Sequence, residues 1–367
     1  MSFHRHLFAN RRKHRRASDV RMRLTSHPPM KLTSLLPALF CLISPLHAAN
    51  DAPPEMPLSV ASFGAAGLPD GSLYFYGGHS GRRHKYNREE VHGDLFRWKQ
   101  GADKWEALEK GEPAQGASLV ASKDGVIRIG GMAARNEKAA KQDLWSSETA
   151  SLYNIASARW TPLPKLPQRR SSHDSIVAGN TLYVLGGWRL EGESDAVWHD
   201  TYLTLDLSKP DAQWESHPQP FKRRALAAVA ADNKVYAIGG MDDDNKTLSD
   251  VSVLDTTTGK WSDGPQLPKD KIGGFGFAAI SQDNRLFASG VTGQLLELRG
   301  DQWVPVAKLA HPRYFHRLLS GGSGKIIAIG GESREGAKAP PEVIVLPAAD
   351  SKPLPDEPKK AEATAKG

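Results

Sequence analysis

Of the 367 residues, 24% are charged, the formal net charge is +7 and there is one cysteine. Residues 1–49 hold nine of the lysines and arginines against one acid, Asp19, which places +8 there and leaves the rest of the chain at −1. A near-neutral body excludes a nucleic-acid partner held by general attraction to phosphate. Cys41 falls inside the leader, so the body has no disulfide or thiol chemistry.

In chain order, Met30 to Ala49 reads as a secretory signal, with a positive start at Lys31, an apolar centre and a small-residue end at Ala48-Ala49. Its apolar part is too short, and too interrupted by Pro37 and Pro45, for a membrane span. Residues 1–49 are therefore expected to be a basic leader and signal peptide, with translation starting at Met22 or Met30. The mature protein is expected outside the cytoplasm, periplasmic or extracellular, with no membrane span after cleavage.

From residue 60 onward, short apolar runs close on glycine doublets. The runs are Leu73-Tyr-Phe-Tyr, Val126-Ile-Arg-Ile, Leu182-Tyr-Val-Leu, Val235-Tyr-Ala-Ile and Ile326-Ile-Ala-Ile, with a degenerate copy at Leu286-Phe-Ala-Ser-Gly290-Val291. Their first glycines recur at intervals of 53, 56, 53, 51 and 40, and Trp105, Trp160, Trp214, Trp261 and Trp303 follow the runs. The clearest unit, 169–216, has four β-type runs bounded by Gly, Asn, Pro or Asp turns. Four strands in one layer cannot bury themselves, so the unit needs copies.

A period of about 50 residues with four strands per unit resembles the kelch β-propeller superfamily, from about Val60 to Leu346. The resemblance implies an all-β, six-bladed kelch-type propeller with four-stranded blades over 50–346, at 60–108, 116–163, 171–217, 224–267, 273–309 and 314–346. The fifth and sixth blades are short. Glu55-Met-Pro resembles the ends of later units and is a candidate for closing the ring. The Pro-, Ala-, Lys- and Glu-rich stretch 347–367 is expected to be a disordered tail.

Strand direction places the loops after each doublet on the same face as the linkers into each next first strand. The tight hairpins, such as Pro69-Asp-Gly71 and Gly179-Asn180, lie on the opposite face. The first face is rich in chemistry, and loops on a rigid scaffold commonly carry function. The candidate ligand-binding residues are His79, Arg82, His84, Arg135, Arg170, His173, Trp188, His199, Arg224, Arg313, His316 and Glu332. Arg suits an anion, Trp a sugar face, and His a proton transfer or a hydrogen bond to the neighbouring blade. The linkers set Arg169, Arg170, Arg223, Arg224, Arg313 and Arg317 against one acid, Asp174, so either an anionic ligand or loop carboxylates must neutralise them. His79, His84, Glu89, Glu90 and His92 share one loop but match no metal-ligand spacing, and no metal or cofactor is expected. Galactose oxidase is similar in fold class only, because its copper site needs a cysteine.

Two functions fit. One is an exported, monomeric module binding an anionic glycan or a protein partner at the channel mouth, since kelch propellers serve mostly as interaction scaffolds. The alternative is a sugar-modifying enzyme. Pro312-Arg313-Tyr314 followed by Ile326 to Glu332 resembles the last blade of the sialic-acid mutarotases. That resemblance implies an essential Glu just after a glycine in an internal blade. Here the internal doublets precede His79, Met132, Trp188 and Met241, and only Glu332 fits, in the last blade. Glu332 and His173 are the candidate catalytic residues.

Overall fold

The apolar runs form the second strands of six small antiparallel sheets, and no helix forms among the described residues. The structure, a computed structural model, describes residues 52–269 and 272–355. The leader and signal segment and residues 356–367 lie outside it.

Blade 1 comprises Gly64–Gly67, Leu73–Tyr76, Leu95–Trp98 and Glu106–Ala107, paired in that order from the axis outward. Blades 2 to 6 follow at 118–162, 174–218, 227–263, 278–308 and 317–345. The innermost strands of successive blades lie side by side around a channel, and the first strand of blade 1 meets that of blade 6, so the ring closes. The six-bladed propeller expected from the repeat is therefore the fold. Blade 5, short in sequence, keeps four strands because a tight turn at 290–293 joins its second to its third. Blade 6 departs from the four-stranded expectation, with three strands at Arg317–Ser320, Lys325–Ile329 and Glu342–Val345.

One apolar cluster fills each of the six gaps between blades. Fully buried side chains such as Phe75, Leu185 and Ile329 each contribute roughly 1.5–3 kcal/mol there. The outer-strand tryptophans belong to these clusters and tie blade to blade. Trp160, Trp214 and Trp303 donate their indole N–H groups to the carbonyls of Glu109, Pro164 and Pro265, just past the preceding blade's outer strand. Trp105 makes the same bond to Pro54 at 3.1 Å, while Met56, Val60 and Phe63 pack with Leu319, Ile327 and Ile329 of blade 6. Residues 54–63 thus take the place of the segment leaving a preceding blade and seal the ring. Trp261 instead meets the rings of Tyr202 and Phe221 edge-on.

The doublets are demanded by close contact, the first glycine with the next blade and the second with the linker of its own blade. A Cβ on Gly130 (φ +53°) would lie 2.3 Å from the Arg170 carbonyl of the next blade, and one on Gly131 (φ +96°) 2.8 Å from Ala114 and Ala117 Cβ. The Gly131 N–H donates to that Arg170 carbonyl, and Gly78, Gly187, Gly240 and Gly331 repeat the bond into their next blades.

A second belt circles the axis. Gly116 N–H donates to Ser62, Ser172 to Gly116, Ala225 to Ser172, Gly276 to Ala225, Phe315 to Gly276 and Ser62 back to Phe315, at 2.6–3.3 Å. All six residues have positive φ, between 51° and 67°. Just inside it, Arg317 of blade 6 reaches Asp174 of blade 3 at 2.9 Å across the channel. Beyond this pair a cavity of about 670 Å3 extends between the inner strands to the hairpins, where Asp70, Gly71, Ser281 and Gly322 line it.

Residues 347–355, expected within a disordered tail, run along blade 5. Leu354 N–H donates to Pro305 O at 2.7 Å. Arg285 and Arg299, converging on Glu297, spend further N–H donors on the carbonyls of Pro347 and Ser351.

Candidate functional site

Two rings of residues build the loop-side mouth. Each residue just before the belt (Ala61, Gln115, Ser171, Arg224 and Tyr314) pairs antiparallel with the residue just after its own blade's doublet (His79, Met132, Trp188, Met241 and Glu332). Phe275 holds the corresponding place before the belt in blade 5. His79, Trp188, Arg224 and Glu332, four of the sequence candidates, therefore stand around one mouth. Met132 and Met241 share their slot.

Aromatic rings fill the space between them. Phe275 meets Phe315 edge-on at 5.1 Å, and Phe315 lies 4.8 Å from Tyr314. The Arg224 guanidinium lies 4.1 Å over Trp188, with Trp198 and Phe275 at 5.5 and 5.6 Å, and Trp198 abuts Trp188 edge-on. Trp188 thus offers one ring face to Arg224, not to a sugar.

The loop 79–92 straps across this layer. Arg83 lies over the Tyr314 ring and donates to Glu332 at 2.8 Å, while Lys338 takes the other Glu332 oxygen at 2.6 Å. Burial pushes the Glu332 carboxyl up, but the bonds from Lys338 and Arg83 outweigh it and hold it below the usual range. On the other side, Arg88 pairs with Glu137, Lys138 with Glu90, and Asn136 donates to the Tyr86 carbonyl. The loop's histidines serve the strap: His79 Nε2 lies 3.2 Å from the Lys85 carbonyl and His92 Nε2 2.7 Å from Ser80 Oγ. Among the described residues no group of three or more His, Cys, Asp or Glu is placed to hold a metal ion.

The other candidates lie elsewhere. Arg82, His84 and Arg135 are exposed on the loops, Arg135 stacking at 3.9 Å over Trp145. Arg170 and Arg313 are buried, and their guanidiniums turn into their own blades. Arg170 donates to the carbonyls of Gly186 and Thr201, and Arg313 to those of His311, Gly330 and Pro340 and to Glu342. Arg223 does the same in blade 4, to Gly239 and Asp250. The crowded linker arginines are thus met chiefly by backbone carbonyls and by Asp174, Glu191 and Glu342. His173 and His316 sit one residue past the belt, in opposite blades, lining a cavity of about 50 Å3. Burial first, then the neighbouring arginines, keep both neutral well below the ordinary imidazole range. His199 is buried against the Arg169 carbonyl, and burial lowers it to about 4.

Sequence reasoning passed over Phe275, Phe315, Trp145 and Lys338. Phe275 was within reach: it precedes its belt residue as Arg224 and Tyr314 precede theirs. The large cavity on the hairpin side had no signal, because most of its lining is small or aliphatic inner-strand residues.

Comparison with known proteins agrees with this architecture. Kelch-like protein 40 of Xenopus laevis is 28% identical over 222 residues, 58% of this chain and 34% of that protein. Kelch repeat and BTB domain-containing protein 13 of Homo sapiens is 32% identical over 171 residues, 44% of this chain and 35% of that protein. The chain thus spans about a third of these relatives' length. The solved "Structure of YjhT" superposes with a TM-score of 0.65 at 17% identity, covering 82% of this chain and 98% of that one, a likeness of fold. A family model matches residues 64–290, more than half of the chain, and on that ground the protein belongs to the family described as the KLHDC2/KLHL20/DRC7 Kelch-repeats domain.

Proposed function

We propose that the protein is an exported interaction module that holds a protein partner on the loop face of its propeller. The observation that carries the reading is the unequal chemistry of the two faces. Exposed Arg82, His84, Lys85, Arg135 and Arg334, interspersed with exposed Glu89, Glu137, Asp243, Asp244 and Glu335, lie on the loops of the side that carries the aromatic layer, while the other side is built of short turns. A rim of charges of both signs around an aromatic centre suits a protein partner, whose complementary charges would fix its register. The glycan form of the reading is less well supported, because the Trp188 face is taken by Arg224. The enzymatic alternative is disfavoured by the same geometry: both Glu332 oxygens are bound by cations, and His173 lies buried at the belt.

The test is site-specific photo-crosslinking in the cell that makes the protein, with the reactive residue at Arg82, His84 or Arg135, or at Lys123 or Asn180 on the hairpin side. One discrete protein adduct from the loop-face positions alone is expected. Adducts only from the hairpin side would sink the proposal. Export rests on residues 30–49 of the sequence, and N-terminal sequencing should find the mature chain starting near Ala49 or Asn50.

A further inference from the structure

We propose that Arg224 anchors a small-molecule site for a carboxylate carried on an apolar body, a site that stands whether or not a protein docks on the loop face. The contrast with the other arginines carries this. Each other buried or half-buried arginine among the described residues has an oxygen acceptor: Arg97 has Glu106, Arg128 has Glu112, Arg169 and Arg189 have Glu191, Arg285 and Arg299 have Glu297, Arg317 has Asp174, and Arg170, Arg223 and Arg313 have carbonyls. Arg224 has none. Its Nη2 meets only the Met241 sulfur at 3.1 Å, and its planar faces lie among Trp188, Trp198 and Phe275. The Arg224 Nε–H and the Trp188 indole N–H are both shielded from solvent and have no partner among the described residues.

A guanidinium drawn out of water without a counter-charge is stabilised by any anion that reaches it, and its fork matches a two-oxygen planar acceptor. The walls choose the rest of the ligand. Three aromatic rings and a thioether favour an apolar group, and with the Tyr86 phenol as the nearby polar group they give a second charge or a string of hydroxyls little to bond. Arg224, Trp188, Trp198, Phe275 and Met241 each keep part of their surface open, with the two unpartnered N–H groups covered behind them.

The experiment titrates the full chain with phenylacetate at fixed ionic strength, followed by tryptophan fluorescence and ligand-observed NMR. Phenylacetamide is the uncharged isostere, acetate the head without the body, and a capped Gly-Glu-Gly peptide a carboxylate on a polar chain. Phenylacetate should bind saturably and each of the other three about tenfold more weakly or worse. Arg224→Met should lose about tenfold or more of the phenylacetate affinity. Arg224→Lys, which keeps the charge without the fork and serves if the Met variant fails to fold, should narrow the gap between acid and amide severalfold. Equal binding of acid and amide, unchanged affinity in Arg224→Met or unchanged discrimination in Arg224→Lys, tighter binding of the peptide, or no saturable binding of phenylacetate would each overturn the proposal.

Discussion

Arg170, Arg223 and Arg313 solve one problem in three blades. Each carries its guanidinium into the interior and bonds the carbonyl of its own blade's first doublet glycine, at Gly186, Gly239 and Gly330. Arg170→Ala would strand the Gly186 and Thr201 carbonyls and should cost about 2–4 kcal/mol, read as a lower urea midpoint. Lys cannot reproduce the forked contacts and should not restore it. A midpoint like the parent's would return Arg170 to the surface chemistry that the sequence suggested. Two neighbours show why sequence alone could not sort these arginines. Arg223 and Arg224 are adjacent and chemically identical, but successive side chains of an extended segment point opposite ways, so one is consumed by the fold and the other faces the mouth. The buried imidazoles give a pH dependence with a definite sign. His173 and His316 stay neutral in the folded protein well below 6.5, their value when unfolded. Below 6.5 the unfolded chain therefore binds more protons, so stability is full above that pH and falls as the solution is acidified. His199, at about 4 when folded, adds to the fall down to that pH. Replacing His316 by Phe, which removes two ring nitrogens without partners among the described residues, should flatten the fall in Tm between pH 7 and 5. An unchanged slope would locate the effect in other groups.

At the scale of elements, the strap 79–92 is held by charge more than by packing: Arg83 and Lys338 on Glu332 at one end, Arg88 on Glu137 and Lys138 on Glu90 at the other. Glu332→Gln should loosen the blade 6 end alone. Hydrogen exchange should rise at residues 80–86 and stay unchanged in the inner strands, and high salt should mimic the variant at the exposed Arg88–Glu137 pair. If exchange at 80–86 did not move, the Tyr86 and His79 rings would be the fastening. How much could be read beforehand follows from what each element constrains. The doublets and outer tryptophans were legible because the contacts at Gly130 and the bond from Trp214 to Pro164 each admit one kind of residue. The belt was not legible. Ser62, Gly116, Ser172, Ala225, Gly276 and Phe315 share a backbone dihedral and no side-chain property, so no pattern of residue types reports it. The site was legible to the extent that strand direction decides it. Direction placed the strap and the linker 311–317 on one face, but it could not say which side chains turn inward.

Across the whole molecule, stability depends on closing the circle between blades 6 and 1. With three strands in blade 6, that closure falls to the stretch around Pro54 and Met56. A chain beginning at Val60 should unfold at lower denaturant, with Trp105 more accessible to quencher, than one beginning at Asn50. Equal midpoints would show that blades 6 and 1 hold each other through their inner strands alone. The belt has a consequence of another kind. Its six hydrogen bonds all point the same way round, so they form a circuit with no first donor and no last acceptor. In an open chain the end groups need caps; here each group is both supplied and consumed, and each bond polarises the next. No blade can rotate about its radius without orphaning a donor on one side and an acceptor on the other. The propeller should therefore behave as a hoop, resisting the displacement of any one blade with all six, so that changes on partner binding stay in the strap and loops.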